Sequence, residues 1–400
     1  MKYLFIHQNF PGQFVHLSHE LAANSANQVV ALSIHRLPVA PGVQLRCYTM
    51  LRGHAEHTHP MLQDMEAKVL RGEACAAAAM QLKREGFEPD FIIAHPGWGE
   101  TLFIKDVFPK AKLLIYCEYF YAAEGQDVGF DGEMPALNFE RRCHLRLKNT
   151  VNLHALQIAD AGISPTQWQK STYPAWAQDK ISVIHDGIRL DRLQPDPKAT
   201  IQLGKEGQMQ TFKPGAEILT YLARNLEPVR GFHTFMRSLP KILAQRQQAR
   251  VVIVGGDDVS YGGRAPGNLS WKQYMLDELK GELDVNRLHF VGKIPYATYL
   301  NLLQVSKVHT YLTTPFVLSW SFLETAMSGA CLLASNTAPV MEFADELAVP
   351  TLDFFDKDRW SEMVVEKLAS KPATKREIRR LPRVELENCL PAQLKLLHSL

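Results

Sequence analysis

Short apolar runs rich in Val, Ile and Leu, without polar alternation, recur along this chain with helix-like stretches between them. The first half holds "KYLFIHQ", "NQVVALSI", "FIIAHP", "KLLIYCEY", "AGISP" and "ISVIHDG"; the second holds "EILTYLA", "ARVVIVGG", "RLHFVG", "VHTYLTT" and "ACLLAS". A strand that alternates polar and apolar residues has one wet face. One that does not is covered on both faces, as in a parallel sheet between two helix layers. Helices are expected at 12–24, 62–86 and, shorter, 99–108, then at 231–247, 270–282, 296–305, 321–328 and 357–369. The outcome is an α/β fold of βαβ units with right-handed crossovers.

The pattern is interrupted once. Residues 191–215, "DRLQPDPKATIQLGKEGQMQTFKPG", have no sustained apolar period and are rich in Pro, Gly and Gln, which marks an interdomain linker. The expected division is a first domain over 1–190, the linker, and a second domain over 216–384, with a helix at 385–400 packing back on the first. A length of 400 residues suits two cores, and two doubly wound domains would face each other across a cleft, with ligands at the C-terminal strand ends. A net charge of +2 argues against a nucleic-acid partner. Six scattered cysteines without a CxxC pair suggest neither a disulfide scaffold nor a zinc knuckle. The opening "MKYLFIHQNF" reads as a buried strand rather than a leader peptide, and a cytoplasmic setting is expected.

Four stretches could carry chemistry. In "HQNFPGQF", Gly12 lets a backbone amide approach an anion at a helix start, or merely shapes a turn. In "YLARNLEPVRGFHTF", Arg224 and Arg230 flank one loop at a strand end, where two guanidinium groups could grip a diphosphate; alternatively they are solvated, or one pairs with Glu227. In "VVIVGGDDVSYGGR", Gly255 and Gly256 allow a tight turn and close ligand approach, while Asp257 and Asp258 lack the further carboxylates a metal would need. In "PFVLSWSFLETAMSG", Ser321 and Glu324 fit a helix capping box, yet Glu324 also stands where a carboxylate could accept both hydroxyls of a ribose. Residues "FVGKIP", with Gly292 and Lys293, could meet the base through their backbone. "RRCHLRLK" places Arg142 and Arg146 one turn apart, a solvated face or a peripheral contact with an anionic membrane.

Together these residues resemble the retaining family-4 glycosyltransferases of GT-B fold, built from two Rossmann-like doubly wound domains facing each other across a cleft. The likeness spans nearly the whole chain. "HQNFPGQF" looks like the acceptor domain of bacterial members, and Asp186-Gly187 stands where an "NG" is common. Arg224 and Arg230 match the basic pair of R-x5-K-G, with arginine for the lysine, and Glu324 matches the second glutamate of E-x7-E. The first glutamate of that motif is replaced by Phe316, so sugar recognition would pass to backbone around Val317, Leu318 and Ser319.

The resemblance implies transfer of a sugar from a nucleoside-diphosphate sugar to a hydroxyl acceptor with retention of configuration, without a cofactor or metal. The acceptor would be a growing bacterial surface glycan or lipid-linked saccharide. Arg224 and Arg230 would be catalytic; Gly12, Gly256, Gly292, Lys293, Val317, Leu318, Ser319 and Glu324 would bind the donor. Glu118 and His95 would stand on the acceptor side. A sugar-nucleotide epimerase and a non-catalytic nucleotide-sugar-binding subunit are the alternatives.

Overall fold

The computed structural model describes residues 1–53, 55–204, 207, 209–371 and 376–400. It divides into two compact units, Met1–Gly187 with Pro382–Leu400, and Ile188–Leu381.

The first unit is built on seven parallel strands: β1 (Lys2–Ile6), β2 (Gln28–Ser33), β3 (Val43–Cys47), β4 (Phe91–Ala94), β5 (Lys112–Tyr116), β6 (Ala161–Ser164) and β7 (Ile181–Val183), in the order 3-2-1-4-5-6-7. The reversal between β1 and β4 is the topological switch of a doubly wound sheet. Both faces of β1 are covered, as its unbroken apolar run requires. Leu4 and Ile6 join one core cluster with Cys75, Ala79 and Ile115, while Tyr3 and Phe5 join another with Phe14, Leu17 and Leu397. β3 went unnoticed in the sequence because it is an edge strand with Gln44 and Arg46 exposed.

The C-terminal helix Leu386–His398 packs on this unit, as expected. Leu397 is fully buried, the Tyr3 hydroxyl lies 2.9 Å from His398 Nε2, and Gln393 Nε2 donates to the His185 carbonyl at 2.9 Å.

The second unit carries an antiparallel pair, β8 (Ile201–Leu203) and β9 (Gln210–Phe212), and six parallel strands. These are β10 (Ile218–Asn225), β11 (Arg250–Gly256), β12 (Leu288–Gly292), β13 (Val308–Tyr311), β14 (Leu332–Ser335) and β15 (Thr351–Leu352). Their order is 12-11-10-13-14-15, again with one reversal beside the first strand. Residues 191–215 therefore differ from the linker expected of them. Ala199, Ile201 and Leu203 are buried against Ile218, Val252, Val254 and Leu302, and the described part of the segment belongs to the second unit. Only a few apolar side chains do this, too few to register as a period.

Helix Phe232–Gln245 follows β10 and buries Phe232, Phe235, Met236, Leu239, Ile242 and Leu243. Its start depends on Gly231, which has φ +64°; a Cβ there would stand 2.4 Å from Leu312 Cβ. Among the described residues no helix is long and apolar enough to cross a membrane.

Candidate donor and acceptor sites

In the second unit, the C-terminal strand ends gather most of the residues singled out in the sequence. β10 ends beside Arg224, whose side chain is exposed and makes no hydrogen bond or ion pair among the described residues. That leaves its guanidinium available to an anion. Arg230 differs from the open arm expected of it. It is 8% exposed, and its Nη1 reaches Thr313 Oγ1 at 2.8 Å, the Val317 carbonyl at 2.9 Å and the Tyr311 hydroxyl at 3.3 Å. Its guanidinium carbon also lies 5.7 Å from the ring centroids of both Tyr261 and Phe316. Burial of this kind is tolerable for arginine because its charge is delocalised and weakly hydrated.

Glu227, a possible partner for one of the arginines, instead accepts three backbone amides: Ser260 on Oε1 at 2.8 Å, and Tyr261 at 3.0 Å and Gly262 at 2.9 Å on Oε2. The loop after β11 is thus gripped from inside by a carboxylate that is 1% exposed. Gly256, at the end of β11, is required by its neighbours. A Cβ there would approach Asn225 Oδ1 to 2.4 Å and Lys293 Cε to 2.8 Å. Lys293 is exposed just after β12, and Gly292 before it has φ +65° with open space around it.

Residues Val317 to Ser319 lead into helix Trp320–Met327, for which Ser319 occupies the N-cap position. The Ser319 amide donates to the Tyr311 hydroxyl at 3.0 Å, so it is not open to a ligand as expected. The amides of Val317 and Leu318 donate to nothing among the described residues, which leaves two N–H groups at a helix start.

Glu324 does not form the capping box that its spacing from Ser321 suggested. Ser321 lies within the helix, its hydroxyl meets that of Ser319 at 2.7 Å, and no side chain caps the helix end. The carboxylate instead accepts from the Tyr296 hydroxyl on Oε1 at 2.6 Å, and the Tyr299 hydroxyl also acts on it. Burial raises its pKa above the ordinary value, against the Tyr296 and Tyr299 hydrogen bonds that pull it down. Tyr296 was not singled out in the sequence; its place just after "FVGKIP" was the available signal.

The first unit holds a second cluster. His7 follows β1, His95 follows β4 and Glu118 follows β5. The Asn9 amide donates to His7 Nδ1 at 3.0 Å, which leaves the His7 proton on Nε2, 2.8 Å from Gln13 Oε1. Gln13 Nε2 in turn donates to Glu118 Oε1 at 2.8 Å. The Gly97 amide likewise fixes His95 Nδ1 as acceptor at 3.1 Å, and Nε2 stands 3.3 Å from Glu118 Oε2. Burial pushes the Glu118 carboxyl up, but the hydrogen bonds from His95 and Gln13, with the electrostatic influence of the His95 and His7 rings, outweigh it and hold the pKa below the usual value. The His95 ring is stacked between Trp98 and Tyr116 and is 3% exposed, so it positions Glu118 rather than meeting a solute itself. Glu118, with 31% of its side chain accessible, is the group a hydroxyl can reach.

Gly12 belongs to this unit. Its φ is +47°, and a Cβ would strike the His7 ring at 2.6 Å, so the glycine makes room for the histidine. The basic helix Phe139–Lys148 is less free than its sequence suggested. Arg142 pairs with Glu124 at 3.1 Å and Lys148 sits 3.8 Å from the Tyr121 ring centroid, while Arg146 stays exposed.

Two doubly wound units of this strand order define the GT-B fold class. Residues 25–193 match the family described as the Glycosyl transferase family 4 group. No curated protein matches the chain in sequence. Among solved structures, sucrose-phosphate synthase from Thermosynechococcus elongatus aligns over 100% of this chain and 98% of its own, at 15% identity and a TM-score of 0.71. WaaG, a glycosyltransferase involved in lipopolysaccharide biosynthesis, aligns over 92% and 91% at 14% identity and a TM-score of 0.60. A putative UDP-N-acetylglucosamine 2-epimerase from Listeria monocytogenes aligns over 100% and 96% at 11% identity and a TM-score of 0.57. The chain therefore has the GT-B fold, and the family-4 glycosyltransferase likeness in sequence is carried by residues 25–193.

Proposed function

We propose that the protein transfers a hexosyl-type sugar from a nucleoside-diphosphate sugar to a hydroxyl of a surface glycan or lipid-linked saccharide, with retention of configuration. The observation that carries the donor half is Glu324: a carboxylate released from helix capping and oriented by Tyr296 at the C-terminal strand ends suits the paired hydroxyls of a ribose. Arg224, with Arg230 behind it and the Val317 and Leu318 amides, suits the diphosphate.

In the reaction, the bond from the anomeric carbon to the diphosphate oxygen breaks and one to the acceptor oxygen forms on the same face. The acceptor proton passes to the departing phosphate oxygen. Negative charge grows on the diphosphate, and preorganised donors of this kind are worth on the order of 3 kcal/mol each. The scheme assigns no step to a metal ion or cofactor. Glu118, held as an anion by Gln13 and His95, would orient an acceptor hydroxyl. A glycan acceptor is supported by the likeness to WaaG, and exposed Arg146 and Phe139 on the basic helix would suit peripheral contact at the inner membrane face.

The epimerase shares the fold, so the test must separate the two reactions. Incubation with labelled UDP-, GDP- and dTDP-hexoses, with and without a bacterial glycolipid extract, is expected to give slow hydrolysis alone and label transfer with extract. An epimerised donor would replace this reading with the epimerase, and tight binding without turnover would leave a nucleotide-sugar-binding subunit.

A further inference from the structure

The glycine-rich loop after β11 is built more firmly than a solvated surface turn needs to be. Three of its amides are held by the buried Glu227, and Asn225 Nδ2 donates to Ser260 Oγ at 2.6 Å. At its far end, Trp271 Nε1 donates to the Gly263 carbonyl at 2.8 Å. What this framework presents is one aromatic ring. Tyr261 is 38% exposed, and its inner side rests on Phe316 at 4.9 Å between centroids. Phe316 is itself 3% exposed, so Tyr261 is the part of the pair that a ligand can touch. Both rings stand 5.7 Å from the Arg230 guanidinium carbon.

We infer that Tyr261 is the donor-sugar contact of the second unit and that Glu227 is the residue that positions it. The inference rests on the donor reading above. A donor sugar is bonded to the phosphate that Arg230 would attract, so what packs on that guanidinium is what the sugar meets. An aromatic ring offers a sugar its π-face, which accepts C–H edges and gives hydroxyl groups no strong acceptor. A site of this kind gains nothing from a hydroxyl that a carboxylate would have bound, and removing one leaves no buried polar group unpaired. The chemistry therefore suits a sugar that turns an apolar face to the ring, with 6-deoxyhexoses accepted as readily as hexoses.

The test is isothermal titration of the whole protein with UDP, GDP and dTDP, their hexosyl derivatives and the 6-deoxy analogue of each. For the base that binds, Tyr261→Ala is expected to weaken the sugar nucleotide about tenfold while leaving the free nucleoside diphosphate within twofold, and Tyr261→Phe to retain both. Glu227→Gln, which loses an acceptor site for the amides, is expected to show the same split, and adding it to Tyr261→Ala should cost nothing further. The 6-deoxy analogue should bind at least as tightly as its parent. Equal loss of diphosphate and sugar nucleotide in Tyr261→Ala would overturn the inference, as would unchanged sugar-nucleotide binding or a tenfold preference for the 6-hydroxylated parent. If none of the three diphosphates bind, the donor reading itself fails and this inference with it.

Discussion

Glu324 carries a stability cost that the proposed contact with the donor ribose would account for. Its folded pKa lies above the ordinary 4.5, so the folded state holds its proton to higher pH than the unfolded chain. The stability this gives is complete below 4.5 and is lost as pH rises through the folded value. Once ionised, the group is a net cost, partly offset by the Tyr296 and Tyr299 hydroxyls. Glu324→Gln is expected to melt no lower than the parent at pH 8 by scanning calorimetry while losing nucleoside-diphosphate affinity tenfold or more. A lower melting point with unchanged affinity would make the residue structural. Glu118→Gln is expected to lower kcat/KM for the acceptor and leave donor affinity alone, because Gln13 and His95 orient a carboxylate in the first unit only. The sequence made Glu324 visible but could not separate cap from ligand contact at the residue itself; only the surrounding motifs favoured the ligand. Tyr296 settles the local geometry, and it is 28 residues away.

Helices and strands were legible where an apolar period was sustained and invisible where packing depended on a few side chains. The helix at 357–369 has the expected bounds because Trp360, Val364 and Leu368 recur at helical spacing. β15 has two residues and carries no period at all. Arg230 was legible in position but not in environment, since Tyr311, Thr313 and Val317 approach it from a different strand end. The turn between β10 and helix Phe232–Gln245 is tightly constrained. Gly231→Ala would force a positive φ on a residue with a Cβ and drive that carbon into Leu312. The expected cost is about 2 kcal/mol or more, readable as a shift of the urea midpoint, whereas an alanine at the open Gly263 should shift it little.

For the molecule as a whole, the returning C-terminal segment ties stability to pH. His185 is fully buried, with Nδ1 accepting from the Gly187 amide at 3.1 Å and a further hydrogen bond to the Val384 backbone. Burial is the main cause of a pKa lowered to about 3. The contribution is complete above the unfolded value of 6.5 and fades as pH falls towards the folded one, on the order of 5 kcal/mol in all. His309 in the second unit, lowered to about 4 by burial, acts in the same direction. Denaturant midpoints should therefore drop between pH 7 and 5, and His185→Gln should flatten that slope. Leu397→Ala, opening a hole between the terminal helix and β1, is expected to cost about 2 to 5 kcal/mol.

The same segment sets an order of events during synthesis. Residues 382–400 complete the first unit, yet the ribosome delivers them only after the whole of Ile188–Leu381 has emerged. The second unit, continuous in sequence, can close while its predecessor still lacks Leu397 against Tyr3 and Phe5. Until the last helix arrives, the nascent first unit offers that apolar face to whatever holds unfinished chains.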